Sequence, residues 1–284
     1  MIARIVLILI LAATLSGCGR DADGKNTVVA AFYPLAYAAQ TLSPSAKVEN
    51  LTPPGAEPHD LELTPQAVAR IENAAVVLYL GHGFQPAVSD AVKSASGTKV
   101  DILQGLPLQA GSGQEEGLSA DPHVWLDPLL FQRIVRHVAA ALPQPVHTAK
   151  LLANVRALDH DYRNGLARCA RKDIVTSHAA FGYLAQRYGL HQVPITGLTP
   201  ESEPTPKQFA HAIQLVRQTG ATTVFFERLL SPRIADTVAR EVGARTAVLD
   251  PIEGLTPSEQ EQGETYLTVM RENLAALRKA LACR

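Results

Sequence analysis

Residues 27–51 read TVVAAFYPLAYAAQTLSPSAKVENL. Positions 27–32 form an apolar, valine-containing run that predicts a strand. A helix over 35–42 and a second strand over 46–51 follow. Two strands joined through a helix pair in parallel, because the crossover returns the chain to the end of the sheet where the first strand began. Residues 173–195, DIVTSHAAFGYLAQRYGLHQVPI, have the same layout without an obvious sequence repeat. They predict a strand over 173–177, a helix over 179–188 and a strand over 192–195. The first half continues with helices 65–73, 86–94 and 129–142 and strands 75–80 and 98–102. The second continues with helices 206–218, 231–242 and 261–281 and strands 222–226 and 245–249. Pro65 and Ser231-Pro232 suit helix starts. The expected fold class is α/β, with two Rossmann-like lobes, each on a parallel sheet covered on both faces.

Between the halves lies a long helix candidate. Leu151, Val155, Leu158, Tyr162 and Leu166 share one face, and Lys150, Asn154, Asp161 and Arg168 lie opposite. This helix, within 144–170, is expected to be a rigid spar joining a lobe at 28–143 to a lobe at 171–284. Residues 105–120 are rich in Gly, Gln, Glu and Ser with no apolar period, and a mobile surface loop is expected there.

The chain has 284 residues, 26 Lys+Arg and 27 Asp+Glu. A formal net charge of -1, with no basic block interleaved with aromatics, argues against nucleic-acid binding. The first residues are not expected to join the fold. Arg4 precedes an apolar run at 5–15, IVLILILAATL, roughly 17 Å long as a helix against a hydrocarbon core of about 30 Å. The run suits a signal-peptide core better than a membrane span. Leu15-Ser16-Gly17-Cys18 follows as a lipoprotein processing signal. Residues 1–17 are therefore expected to be removed, Cys18 to be lipidated, and 18–27 to form a polar tether at a membrane surface outside the cytoplasm. An ordinary signal peptide with an incidental cysteine is the alternative. The remaining cysteines, Cys169 and Cys283, would pair in an oxidising compartment; the alternative is two free thiols.

Nine histidines are present. His137, His147, His160 and His211 lie in or beside predicted helices and are expected to face solvent or fill polar niches. His82 and His191 could approach a cleft, but in less constrained settings. His59 and His178 follow strands, where loops of open α/β sheets line a crevice. His123 lies in a loop stiffened by Pro122 and Pro128. Asp250 ends the strand at 245–249 and precedes Pro251. Three neutral imidazoles and one carboxylate suit zinc or a first-row neighbour, held at about 2.0–2.2 Å in a tetrahedron. Such dispersed ligands make a site only if the lobes fold around them.

The segments carrying these residues are PPGAEPHDLELTP at 53–65, DPHVWLDP at 121–128, TSHAAFGYLAQRYGL at 176–190 and LDPIEGL at 249–255. With GLTPESEPTPKQ at 197–208 and FFERLLSPRIADTVAREVGA at 225–244, the chain resembles the metal-binding substrate-binding proteins of ABC transporters for zinc and manganese. The resemblance implies an ion held in the cleft between two lobes by His59, His123, His178 and Asp250. It implies a membrane permease and a cytoplasmic ATPase as partners, with the chain a receptor and not an enzyme, acting as a monomer. The ion is cargo and not a catalytic cofactor. His178 stands where some manganese-binding relatives carry a carboxylate, which favours Zn2+ over Mn2+. Zinc-binding relatives often carry a histidine-rich acidic loop before the second motif, and the segment at 105–120 has no histidine. Glu203 and Glu227 are read as structural or docking carboxylates, or as plain surface groups. A zinc hydrolase would need an open coordination position and a general base; the chain has no His-Glu-x-x-His motif. A receptor for an organic solute or a metal chelate is a further alternative.

Overall fold

The computed structural model describes residues 27–111, 117–200 and 206–284. The expected signal peptide, Cys18, Glu203 and nearly all of the tether lie outside the described residues. The first lobe holds β1 (Thr27–Ala30), α1 (Tyr33–Leu42), β2 (Lys47–Asn50), α2 (Pro65–Asn73), β3 (Val76–Tyr79), α3 (Pro86–Lys93), β4 (Thr98–Asp101) and α4 (Pro128–Ala141). A single helix, α5 (Thr148–Leu166), leads to the second lobe. There follow β5 (Asp173–Thr176), α6 (Gly182–Tyr188), β6 (His191–Pro194), α7 (Pro206–Thr219), β7 (Thr223–Phe226), α8 (Arg233–Val242), β8 (Arg245–Val248), α9 (Pro257–Glu261) and α10 (Tyr266–Ala280).

Both sheets are wholly parallel, in the orders β2-β1-β3-β4 and β6-β5-β7-β8. The matching orders place equivalent switch points between β1 and β3 and between β5 and β7, where loops at the carboxyl ends diverge and leave a crevice. The helix starts follow local chemistry. Pro34, Pro65, Pro86, Pro128 and Pro257 occupy first turns, where the missing N–H has no intrahelical partner to lose. Thr64 and Asp127 cap α2 and α4 by accepting from Ala67 and Leu129 N–H.

The stripe on α5 is buried as its period requires: Leu151, Val155, Leu158, Tyr162 and Leu166 are each at most 1% exposed. Each such aliphatic side chain contributes about 1.5–3 kcal/mol on burial. Tyr162 also donates through its hydroxyl to the Met270 carbonyl at 2.7 Å, tying α5 to α10. One apolar cluster runs through the first lobe, α4, α5, α10 and the near side of the second sheet, joining Val29, Leu158, Ile174, Phe225 and Leu277. A smaller one, with Val175, Val216, Val224 and Val238, lies between the second sheet and α7 and α8. Cys169 and Cys283 form a disulfide across 114 residues of chain.

Three local readings are corrected. The last predicted helix, 261–281, begins later, at Tyr266, because Gly263 takes φ 74° and Thr265 opens α10 with a capping box; Glu261 instead ends the short α9. The helix expected from 179 begins at Gly182, since Ala179 N–H bonds to the Gly197 carbonyl instead of entering a helical ladder. Ser231 sits one residue further out than a cap, with Pro232 in the cap position of α8.

Candidate metal centre

The site lies between the lobes. His59 comes from the β2–α2 loop and His123 from the loop ahead of α4, both in the first lobe. His178 follows β5 and Glu253 follows β8, in the second. Each offers one ligand atom, and these four atoms lie within 4.8 Å of one another. His123, His178 and Glu253 are at most 1% exposed.

Each ligand loop is held by its own chemistry. Buried Gln85 donates to the Pro58 carbonyl at 3.1 Å and to Thr52 Oγ1 at 3.3 Å, and the Thr52 hydroxyl donates to the Ala31 carbonyl at 2.8 Å. These bonds pin the loop carrying His59 to the ends of β1 and β2. Asp121 Oδ1 accepts from the His123 backbone N–H at 2.9 Å and faces its ring Nδ1 at 2.8 Å. The Asp121 carbonyl in turn accepts from the Tyr183 hydroxyl of α6 at 2.9 Å. Glu227 Oε1 lies 2.6 Å from His178 Nδ1 and also accepts from the Ser177 hydroxyl.

A ring that donates from Nδ1 to a carboxylate has its lone pair on Nε2. For His123 and His178 that lone pair points to the centre, where the two Nε2 atoms stand 3.3 Å apart. Glu253 Oε1 is 3.3 Å from His59 Nε2, 3.1 Å from His123 Nε2 and 3.6 Å from His178 Nε2. Its second oxygen, Oε2, is buried with no hydrogen-bond partner. Lone pairs converging this closely in a buried site need a positive charge among them, whether a shared proton or a cation.

The charge states follow the same geometry. Burial works against a charged His178, but Glu227 and then Glu253 outweigh it and hold its pKa well above the ordinary 6.5. Burial likewise opposes charge on His123, and Asp121 with Glu253 overcomes it to raise its pKa. His59 goes the other way: burial lowers its pKa, and Glu253 only partly offsets that. Burial would raise Glu253, but His123, His178 and His59 together hold it well below the usual carboxylate range. Beside it, Glu57 is pushed up to about 10, first by burial and then by the charge on Glu253.

The structure brings three of the four sequence-nominated residues together and leaves Asp250 out. Asp250 Oδ1 accepts from Ile252 N–H at 2.7 Å, and Oδ2 faces Arg228 Nη1 at 3.4 Å. Burial pushes its pKa up to about 7. The converging carboxylate is Glu253, three residues on. Both acids lie in LDPIEGL, and composition alone does not distinguish them. The usable signal was Asp-Pro-x, a turn in which the aspartate bonds its own backbone two residues later. Glu227, read as structural, docking or surface, is 3% exposed and orients His178. His82 is exposed and bonds Ser119, and His191 is exposed near Asp173. Neither joins the cluster.

A family model described as the zinc-uptake complex component A, periplasmic, matches residues 28–280. The chain belongs to that family. Within it, the high-affinity zinc uptake system protein ZnuA of Bacillus subtilis is 33% identical over 300 aligned residues, covering 96% of this chain and 94% of that protein. The zinc-binding protein AdcA of Streptococcus pyogenes is 35% identical over 90% of this chain, which spans only 56% of that longer protein. Among solved structures, the Zn(II)-bound ZnuA-like domain of Streptococcus pneumoniae AdcA superposes with a TM-score of 0.75 at 33% identity, covering 91% of this chain and 99% of that one. The metal-dependent lipoprotein YcdH of B. subtilis gives a TM-score of 0.76 at 34% identity, with 90% and 99% covered. The two parallel sheets are thus those of the zinc-uptake component family.

Proposed function

We propose that the chain is the extracytoplasmic receptor of an ABC uptake system, capturing one Zn2+ ion and handing it to a membrane permease. The observation that carries this reading is the convergence of three imidazole nitrogens and one carboxylate oxygen, two of the rings already oriented by Asp121 and Glu227. We take His59, His123, His178 and Glu253 as the ligands. Three borderline nitrogen donors and one oxygen suit tetrahedral Zn2+ better than Mn2+, which prefers an oxygen-rich shell. Four protein donors would complete a tetrahedral shell and leave no position for an activated water, which suits holding an ion better than hydrolysis.

Capture proceeds by exchange of the ion's waters for protein donors from both lobes. Carriage at a membrane surface would follow from lipidation of Cys18 after removal of residues 1–17, and mass spectrometry of the membrane-extracted protein would reveal the acyl chains. The receptor would work as a single chain, meeting the permease with residues 28–143 and 171–284 as its two lobes and the helix within 144–170 between them.

Calorimetry on metal-stripped protein tests the assignment. One zinc per chain is expected, with zinc displacing manganese in competition. His59→Ala, His123→Ala, His178→Ala and Glu253→Ala should each weaken zinc binding by more than the roughly 10–100-fold typical of losing an outer hydrogen-bond partner. Wild-type affinity in all four variants would refute the ligand set.

A further inference from the structure

Resting on that ligand set, we propose that Asp250 is the positioning residue for Glu253, building the strained turn that delivers the fourth ligand. The turn spans Asp250, Pro251, Ile252 and Glu253. Ile252 is fully buried and adopts φ 58°, a left-handed conformation that a β-branched side chain resists. Something must hold it there, and three contacts do. Asp250 Oδ1 accepts from the Ile252 backbone N–H at 2.7 Å. The Pro251 carbonyl accepts from Trp125 Nε1–H at 2.6 Å. Asn273 of α10 grips Asp250 from both sides, accepting from its N–H at 2.8 Å and donating to its carbonyl at 2.7 Å. Only with Ile252 so turned does the chain reverse sharply enough to aim the Glu253 carboxylate at the three imidazoles.

Arg228 extends the device. It follows Glu227, the partner of His178, and its guanidinium reaches Asp250, Glu259 of α9 and, at 2.6 Å, Glu272 of α10. The Asp250 carboxylate is therefore engaged on both oxygens. One short segment joins the two carboxylates that serve the second lobe's ligands, so the fourth ligand and the orienting partner of His178 share a common brace.

The test uses the full metal-stripped protein and two readouts. The first is zinc affinity together with the visible absorption of the cobalt(II)-substituted site, which reports ligand number. The second needs no metal: Trp125 is the chain's single tryptophan, and its indole N–H is bonded to the turn. Asp250→Ala should shift the apo Trp125 emission and weaken zinc binding about 10–100-fold, the range expected for an outer partner. Asp250→Asn, which keeps an oxygen for Ile252 N–H, should retain near-wild-type affinity and an unchanged cobalt spectrum. Adding Ile252→Gly to Asp250→Ala should restore emission and part of the affinity, because glycine takes the left-handed conformation freely. Unfolding curves of each apo variant separate loss of the turn from loss of the fold.

If Asp250→Asn abolishes binding and alters the cobalt spectrum as Glu253→Gln does, Asp250 is a ligand and the proposal is overturned. It is also overturned if Asp250→Ala leaves both affinity and emission unchanged, or if Ile252→Gly rescues neither. Wild-type affinity in Glu253→Gln would instead overturn the ligand set itself, a distinct result.

Discussion

At the scale of single residues, the three imidazoles are not equivalent. His123 and His178 each give Nδ1 to a buried carboxylate, whereas among the described residues His59 Nδ1 faces none. The carboxylates orient the rings, and they also raise the proton affinity of the two imidazoles. Zinc and protons therefore compete, and binding releases protons. Because His178 is held well above 6.5, zinc affinity should fall in acid and still be climbing with pH above 6.5. Glu227→Gln removes the main cause of that elevation. Its affinity should drop about 10–100-fold at the plateau, while the plateau is reached at lower pH. Zinc titrations across pH, followed by calorimetry, would detect both shifts. An unchanged pH profile in the variant would contradict this role for Glu227.

At the scale of elements, much of the structure was legible because short-range rules govern it. Pro65 and Pro86 marked the starts of α2 and α3, the first also capped by the Thr64 hydroxyl, and the stripe Leu151 to Leu166 marked the buried face of α5. His59 and His178 were legible for a related reason, since residues just beyond parallel strands line the crevice. What was not legible depended on backbone conformation over two or three residues. Gly263 and the Thr265 cap delay the start of α10, residues 178–181 turn before α6 begins, and left-handed Ile252 exchanges Asp250 for Glu253. Hydrophobic periodicity carries no information about such turns.

The disulfide is the element-scale feature with the largest expected stability effect. It ties the chain just beyond α5 to the residue next to the C-terminal one, alongside α10. Chain-entropy arguments for a loop of 114 residues give about 4–5 kcal/mol, within a typical range of about 2–5 kcal/mol for native bridges. The Cys169→Ser/Cys283→Ser double variant should lose roughly that stability in denaturant unfolding. It should still bind one zinc, because the bridge lies at the far ends of helices that do not supply ligands.

At the scale of the whole molecule, the two sheets do not stand apart on a flexible joint. Their main apolar cluster is shared, with α5 and α10 packed through it. The lobes are also stitched at the surface: Arg187 of α6 bonds Asp127 at the start of α4 at 2.6 Å, and the Gln109 side chain donates to Gln186 at 2.8 Å. The loops on the opposite side meet through Gly55 N–H and the Leu255 carbonyl at 2.9 Å. Wide opening would break buried apolar contacts as well as these bonds, so ion exchange must proceed through small local movements. Small-angle scattering should give a radius of gyration of about 18 Å for the folded part, the same with and without zinc to within about an ångström. A compaction of several ångströms on binding would show that the lobes swing as separate bodies.

Three imidazoles and one carboxylate from the two lobes are expected to surround a single ion. X-ray absorption at the zinc edge of the loaded protein measures that shell directly. It should show four nitrogen and oxygen neighbours at about 2.0–2.2 Å, with the outer-ring scattering of three imidazoles and no sulfur, and Glu253→Ala should change the oxygen contribution alone. A six-coordinate oxygen-rich shell, or fewer than three imidazoles, would contradict it.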